Sequence, residues 1–452
     1  MNKIIIVVCL CTLLLSCNSK KDYESILKDP FIYSNTVHEL NKVVMGNNFT
    51  PIVASRNYTY ASIAGYEAQA AGYPDQYYSL AGQLNGLKNV PKPIPGKKIN
   101  YELASLLSYC ILGESVTFPK GSMDKYIDSI KNLAKDHGMP SDIFENTNAY
   151  VDTLTKVIMA WSKKDNYLQV KGMPDFSVNY DDSSRWVPTP PAYSSAAEPN
   201  WNKIRTLVMD SATQFRALPP VKYDVHNKNS AYYKQVVQML DSTKNLTDSQ
   251  KNVAMFWDDN PFKLNVIGHV MYGTKKFSPP GHWMSVVGIA AQKSHADFAT
   301  TVYAFAKTSI ALFDAFIQCW DEKYRYATVR PETVINRSFD QNWKPYLQTP
   351  PFPEYTCGHS TGSSAAAESL TSIFGDHVSY SDTSEVEFGI PARNYSSFRE
   401  AALENTWARF YGGLHFHQTC LQSNQYGKSV GDLVASKIKW KKGEKNFTAT
   451  NP

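Results

Sequence analysis

An all-α fold is predicted, with a helical bundle in the second half of the chain and further helices from the first half wrapped round it. Three observations lead there. Apolar residues recur at three- and four-residue spacing over one long stretch after another, the period of a half-buried helix. No run of any length alternates apolar and polar residues as a strand would, and no segment repeats. Aromatics make up 13% of the chain, with 28 Tyr and 9 Trp, enough to build cores where helices carry few Leu and Val. At 43% hydrophobic and 19% charged, the 452 residues exclude a largely disordered chain. The length allows two or three domains at about 150 residues each.

The first element is a leader. Met1-Asn2-Lys3 is a short positive start, and Ile4 to Leu15 is an apolar run. That run is too short for a membrane-spanning helix, which needs roughly 20 residues, and suits an export signal. It ends in Leu14-Leu15-Ser16-Cys17, which resembles the lipobox of bacterial lipoproteins. Residues 1–16 are therefore expected to be a lipoprotein signal peptide. Cys17 would be acylated and would make the only membrane contact. The plain alternative is an ordinary Cys beside a generic signal. The expected location is the outer membrane, on its periplasmic face or at the cell surface.

Processing simplifies charge and cysteine arithmetic. The 46 Lys+Arg against 41 Asp+Glu give a net of +5, and loss of Lys3 leaves +4. That is too mild for a nucleic-acid partner, so any anion site must be built locally. Of seven cysteines, Cys9 and Cys11 leave with the signal and Cys17 carries lipid. Cys110, Cys319, Cys357 and Cys420 remain, which permits three two-bridge pairings or none. They show no C-x-x-C spacing, which speaks against a zinc or iron–sulfur centre.

Helical patterns then run over about Pro51 to Ala71, Tyr101 to Leu112 and Ile143 to Trp161. Met173 to Asn200 is rich in Pro, Ser and Asp and reads as a long ordered loop or domain connection. A short helical segment precedes the Pro-rich stretch Leu218 to Lys222. Further helices are expected over Ala231–Leu240, Asp248–Asp258, Met284–Ser294, Ala296–Trp320, Ser363–Phe374, Tyr395–Phe410 and Thr419–Ile438. The divisions expected are 17–195, an N-terminal helical region packed on the core; 196–440, a catalytic helical bundle; and 441–452, a polar tail.

Chemistry concentrates between Trp320 and His417 in three pieces. The first is Lys323-Tyr-Arg-Tyr-Ala-Thr-Val-Arg330-Pro331. Lys323 and Arg330 lie seven apart, on one face of a helix and roughly 10 Å apart along its axis, where two long cations suit an oxyanion. Pro331 is expected to end that helix. Alone, the pair reads as a solvated basic stripe. The second piece is Thr356-Cys357-Gly358-His359-Ser360-Thr361-Gly362, leading into a small-residue helix. A turn at a helix N-terminus offers free backbone N–H groups and partial positive charge to an anion. His359 at its lip can take or give a proton, although a lone His there is more often a cap. The third is Arg409-Phe-Tyr-Gly412-Gly413-Leu414-His415-Phe416-His417. The Gly pair should break the helix and let Arg409 and His415 turn towards one point. His417 faces elsewhere and reads as structural or supporting.

Together the pieces read K-x6-R-P, a G-H turn, and R-x5-H. This resembles the signature shared by vanadium-dependent haloperoxidases and type 2 phosphatidic acid phosphatases, and within that superfamily the bacterial vanadium-dependent iodoperoxidases in particular. The motifs span about a hundred residues, and the helical context from about Asp258 to Ile438 suits the family's catalytic bundle. The resemblance implies a haloperoxidase that uses vanadate (vanadium V) and hydrogen peroxide to oxidise halide, iodide favoured, to hypohalous acid. It implies that His415 binds vanadium, and that Lys323, Arg330, Arg409, the Gly358 N–H and residue 357 hold the vanadate oxygens. His359 would be the acid–base group acting on peroxide, with Lys323 assisting. Trp320, Phe352 and Phe262 would line a halide pocket. Asp258 or Asp259, in Phe256-Trp257-Asp258-Asp259-Asn260-Pro261-Phe262, would supply the carboxylate behind His415. His282 reads as structural, and nothing in the sequence demands more than a monomer.

Two departures qualify the resemblance. The family's P-S-G-H turn appears here as Thr356-Cys357-Gly358-His359, so a thiol, a weaker donor and an oxidisable group, replaces a hydroxyl. The phosphatase pattern places an Asp four residues after the His, where this chain has Thr419. That loss leans against a phosphatase working through a phosphohistidine, which stays as one alternative. A non-catalytic, lipid-anchored binding protein is the other.

Overall fold

Capping side chains and prolines fix where most of the helices start. In a computed structural model, which describes residues 22–443 apart from 268 and 274, fifteen α-helices follow one another. The first half contributes α1 (Tyr23–Leu27), α2 (Pro30–Gly46), α3 (Pro51–Gly72), α4 (Tyr101–Ser115), α5 (Asp124–Asp136), α6 (Ser141–Ser162) and α7 (Tyr167–Lys171). The second half contributes α8 (Ala231–Lys244), α9 (Asp248–Phe256), α10 (Pro279–Lys293), α11 (Phe298–Tyr326), α12 (Pro331–Ser338), α13 (Gly358–Phe374), α14 (Phe398–Tyr411) and α15 (His417–Lys437). Asp29, Thr50, Asn100, Asp297 and Ser397 each accept a backbone N–H of the first turn that the helix itself leaves unpaired. The leader, Cys17 and residues 444–452 of the tail lie outside the described residues.

The expected all-α class holds, and the long helices sit where the periodicity puts them. α11 is the spine: it is buried almost throughout from Phe298 to Lys323 and packs on α3, α10, α13 and α15. α13 and α15 lie close because glycines line their contact. A Cβ on Gly427 would fall 2.0 Å from the Thr361 carbonyl oxygen. One continuous core runs from Leu27 to Trp440 and takes residues from both sides of position 196. The four cysteines in the described chain are buried and free, so of the pairings left open none forms.

Several elements differ from expectation. Two short antiparallel hairpins occur, β1 (Leu264–Ile267) with β2 (Val270–Gly273) and β3 (Tyr380–Asp382) with β4 (Arg393–Tyr395). At three or four residues each, they are too short to register as an alternating pattern. The short helical segment expected immediately before Leu218 does not form an α-helix; the Asp314 carboxylate takes the N–H groups of Leu207, Val208 and Met209 at 2.8, 2.8 and 2.9 Å and lays that stretch along α11 as a loop. Pro331 begins a helix instead of ending one. α11 stops at Tyr326 because Ala327 turns left-handed (φ 47°) and caps the Lys323 carbonyl. Arg330 is extended, and Pro331, lacking an N–H that the first helical position does not use, starts α12.

Candidate active site

The last turn of α11, the N-terminus of α13 and the end of α14 meet around a buried, irregular segment with several bends, 349–357. Lys323 is fully buried, and its ammonium donates to the carbonyls of Pro353 (2.8 Å) and Glu354 (3.2 Å). Burial, helped by the nearby Arg330 charge, pulls its pKa down to about 8. Arg330, also fully buried, donates through Nε to the Phe352 carbonyl (2.8 Å) and through Nη1 to the Leu414 carbonyl (3.0 Å). The two cations therefore meet through segment 349–357 and not along one helix face. Burial brings Arg330 down to about 10, which leaves it charged.

α14 ends at Tyr411, where Gly412-Gly413 turns the chain, with Gly413 at φ +77°. The turn brings Arg409 and His415 to the same place. Arg409 donates to the Trp257 carbonyl (2.9 Å), and His415 Nε2 lies 3.1 Å from Arg330 Nη1. His415 Nδ1 faces Glu354 Oε1 at 3.2 Å. Because Arg330 can only donate, Nε2 carries the lone pair and Nδ1 the proton, which goes to Glu354. Glu354 also accepts from the Phe416 N–H (3.2 Å) and the Thr419 hydroxyl (3.2 Å).

This arrangement corrects the expectation for Asp258 and Asp259. Neither stands behind His415. Asp258 pairs with Lys263 (2.9 Å) and Asp259 with His282 (3.0 Å). Glu354, missed in the sequence, holds the position, and Thr419 hands its missing carboxylate role to it. The absent Asp at 419 therefore no longer argues against a phosphohistidine.

At the head of α13, Gly358, His359 and Ser360 supply the first-turn N–H groups that no helical carbonyl reaches. A Cβ on Gly358 would already touch the Trp320 ring at 3.4 Å. Burial, reinforced by the Arg409 charge, holds His359 well below the usual imidazole range, so it is neutral. Cys357 is buried, and burial raises a thiol. Here the Cys420 hydrogen bond and then the His415 imidazole outweigh it and hold Cys357 well below the usual thiol value. Trp320, Phe352 and Phe262 pack in series, with centroids 5.1 and 6.2 Å apart, and the Lys323 ammonium sits 4.9 Å from the Phe352 ring centre. The Trp320 indole N–H is already given to the Ala197 carbonyl (3.1 Å). His417, at the start of α15, packs on Trp407 and Phe410, a structural place.

The fit to an oxyanion rests on what these groups leave unpaired. Arg330 Nη2, Arg409 Nε, His359 Nε2 and Ser360 Oγ are buried without a hydrogen-bond partner in the chain. Ser360 was not among the residues singled out in the sequence. Orphaned donors of this kind are costly unless a ligand takes them. Three cations, a helix N-terminus and a histidine lone pair match a tetrahedral or bipyramidal oxyanion with one position for nitrogen, a description that vanadate and a phosphoryl group both meet.

Fold and site thus define a helical-bundle oxyanion enzyme. The family model of the VCPO second helical-bundle domain matches residues 303–441. The solved structure described as the first bacterial vanadium-dependent iodoperoxidase is similar at 41% identity and TM-score 0.86, covering 92% of this chain and 98% of that one. The holo and apo forms of a bacterial vanadium-dependent chloroperoxidase share the fold, at 16% and 17% identity and TM-score 0.63, covering 85% and 86% of this chain and 92% and 94% of theirs. No curated protein matches the sequence significantly. The chain belongs to the vanadium-dependent haloperoxidase family, an enzyme family whose cofactor is vanadate.

Proposed function

We propose that the chain oxidises halide, iodide in preference, with hydrogen peroxide: halide, peroxide and one proton give hypohalous acid and water. The observation that carries this reading is the set of buried donors left unpaired round the His415 lone pair. His415 would hold vanadium through Nε2, fixed in that tautomer by Glu354. Lys323, Arg330, Arg409 and the α13 N–H groups would neutralise the oxygens, Arg through its fork and Lys as a point charge. Vanadate, when bound, supplies a Lewis-acidic vanadium(V) that activates peroxide without changing oxidation state. Neutral His359 would take the proton from incoming peroxide and return one to the leaving oxygen. Trp320, Phe352 and Phe262 would keep water from the approach and leave a weakly hydrated halide there. Iodide is favoured because the relative with 41% identity is an iodoperoxidase.

A paired assay tests the reading. With added vanadate, peroxide-dependent triiodide should form, while a generic phosphate ester should stay intact. Ester hydrolysis without iodide oxidation would make the chain a phosphatase, and inactivity in both would make it a binding protein. We also propose export as a lipoprotein through Cys17, supported by the Ile4–Leu15 run and Leu14-Leu15-Ser16-Cys17. Labelled palmitate should enter the wild-type chain and not Cys17→Ala. Among the described residues no helix is long and apolar enough to cross a membrane.

A further inference from the structure

We propose that Asp259, His282 and Glu385 form a second, buried metal site, for a first-row divalent cation such as Zn2+ or Mn2+, that braces the vanadate cradle from behind. The three come from separate segments: the loop after α9, the first turn of α10 and the turn after β3. All are at most 1% exposed. His282 Nδ1 lies 3.0 Å from Asp259 Oδ1 and 3.7 Å from Glu385 Oε1, and one donor atom from each residue falls within 4.8 Å of the others. Ligands bound at about 2.1 Å to one ion stand roughly 3–3.4 Å apart, so the spacing is close to that of a coordination shell.

The other side of the imidazole supports the same reading. His282 Nε2 faces Asp382 Oδ2 at 3.0 Å, and Asp382 is itself fixed by the Ser384 N–H (3.0 Å) and hydroxyl (2.6 Å). A carboxylate on the far ring nitrogen is how proteins orient a metal-binding His and leave its other nitrogen for the ion. The second observation is independent. Both oxygens of Glu385 and the second oxygen of Asp259 are buried with no hydrogen-bond partner. Those atoms would complete a four- or five-coordinate shell.

Charge counting agrees. Asp259, Asp382 and Glu385 carry three negative charges, and buried Lys276, 3.7 Å from Glu385, carries one positive. A dication beside a neutral His282 brings the cluster to zero. An imidazolium in its place leaves one buried negative charge unless Glu385 takes up a proton, so the count is compatible with the ion and the geometry carries the proposal. The cluster reaches the cradle directly: the Trp257 ring stacks on His282 (4.5 Å, 16°), and the Trp257 carbonyl holds Arg409.

The test uses the full chain and reads metal, not turnover. Purified protein stripped with chelator is titrated with Zn2+, Mn2+ and Ca2+, following stoichiometry by elemental analysis and Tm by calorimetry. One equivalent of Zn2+ or Mn2+ should bind and raise Tm by a few degrees, with Ca2+ inert. Glu385→Gln should weaken that binding at least tenfold, whereas His415→Ala should leave it intact. Glu385→Gln also mimics a protonated carboxyl, so a metal-free cluster would tolerate it. No binding and an unmoved Tm in the wild type would overturn the proposal. So would preference for Ca2+, or binding that survives Glu385→Gln and disappears in His415→Ala.

Discussion

Replacing Glu354 by Gln probes the contact that takes the Nδ1 proton of His415. Glu354 is 2% exposed and accepts from His415 Nδ1, the Phe416 N–H and the Thr419 hydroxyl, each at 3.2 Å. Ala in its place would leave three buried donors unsatisfied at about 1–3 kcal/mol each, enough to confuse folding with function. Gln keeps an oxygen for His415 and Phe416, removes the charge, and presents an amide donor to the Thr419 hydroxyl, which can turn to accept it. Loss of a charged partner behind a metal-bound His lowers metal affinity about 10–100-fold, or about 1.4–2.7 kcal/mol. Calorimetric titration of the apo protein with vanadate should therefore show affinity down by that amount, with circular dichroism unchanged. A folded Glu354→Gln variant that binds vanadate as tightly as wild type would refute the assignment of Glu354 as the group that orients His415.

Three further outcomes follow from the same geometry. His359→Ala should still bind vanadate but lose about 10²–10⁴ in iodide turnover, because no other base faces the orphaned position; turnover within tenfold of wild type would remove His359 from proton transfer. Cys357→Ser exchanges an oxidisable thiol for a hydroxyl that is the better hydrogen-bond donor, so vanadate affinity and turnover should hold or rise, and activity should survive peroxide pre-incubation better. A much less active Ser variant would give the thiol a role of its own. Lys323 carries its charge below about pH 8 and loses it above, so affinity for the anion should fall as pH rises through that value. In Lys323→Met that inflection should be absent from the vanadate titrations.

The residues of the cradle were legible because their motifs are local and chemically loud. Lys323, Arg330, Gly358, His359, Arg409 and His415 all reach the same place. Their route was less legible: Pro331 suits both the end and the start of a helix, and only the left-handed Ala327 decides between them. Glu354 stayed hidden because nothing in its own neighbourhood points to a His 61 positions away. The adjacent acids at 258 and 259 attracted the role through their aromatic setting, yet Lys263 and His282 had already claimed them. α2 and α5 went unseen although the signals were present. α2 starts with Asp29-Pro30, a cap and a proline, and α5 places Ile127, Ile130, Leu133 and Ala134 on one face. The hairpins are too short for any periodicity to mark them.

The most direct test of the vanadate site is a titration of the apo chain with vanadate at fixed peroxide and iodide, following triiodide absorbance. Activity should be absent at the start, rise linearly and reach a plateau at one vanadate per chain, and His415→Ala should stay flat throughout. Iodide oxidation that ignores vanadate, or a His415→Ala variant that follows the wild-type curve, would contradict the account.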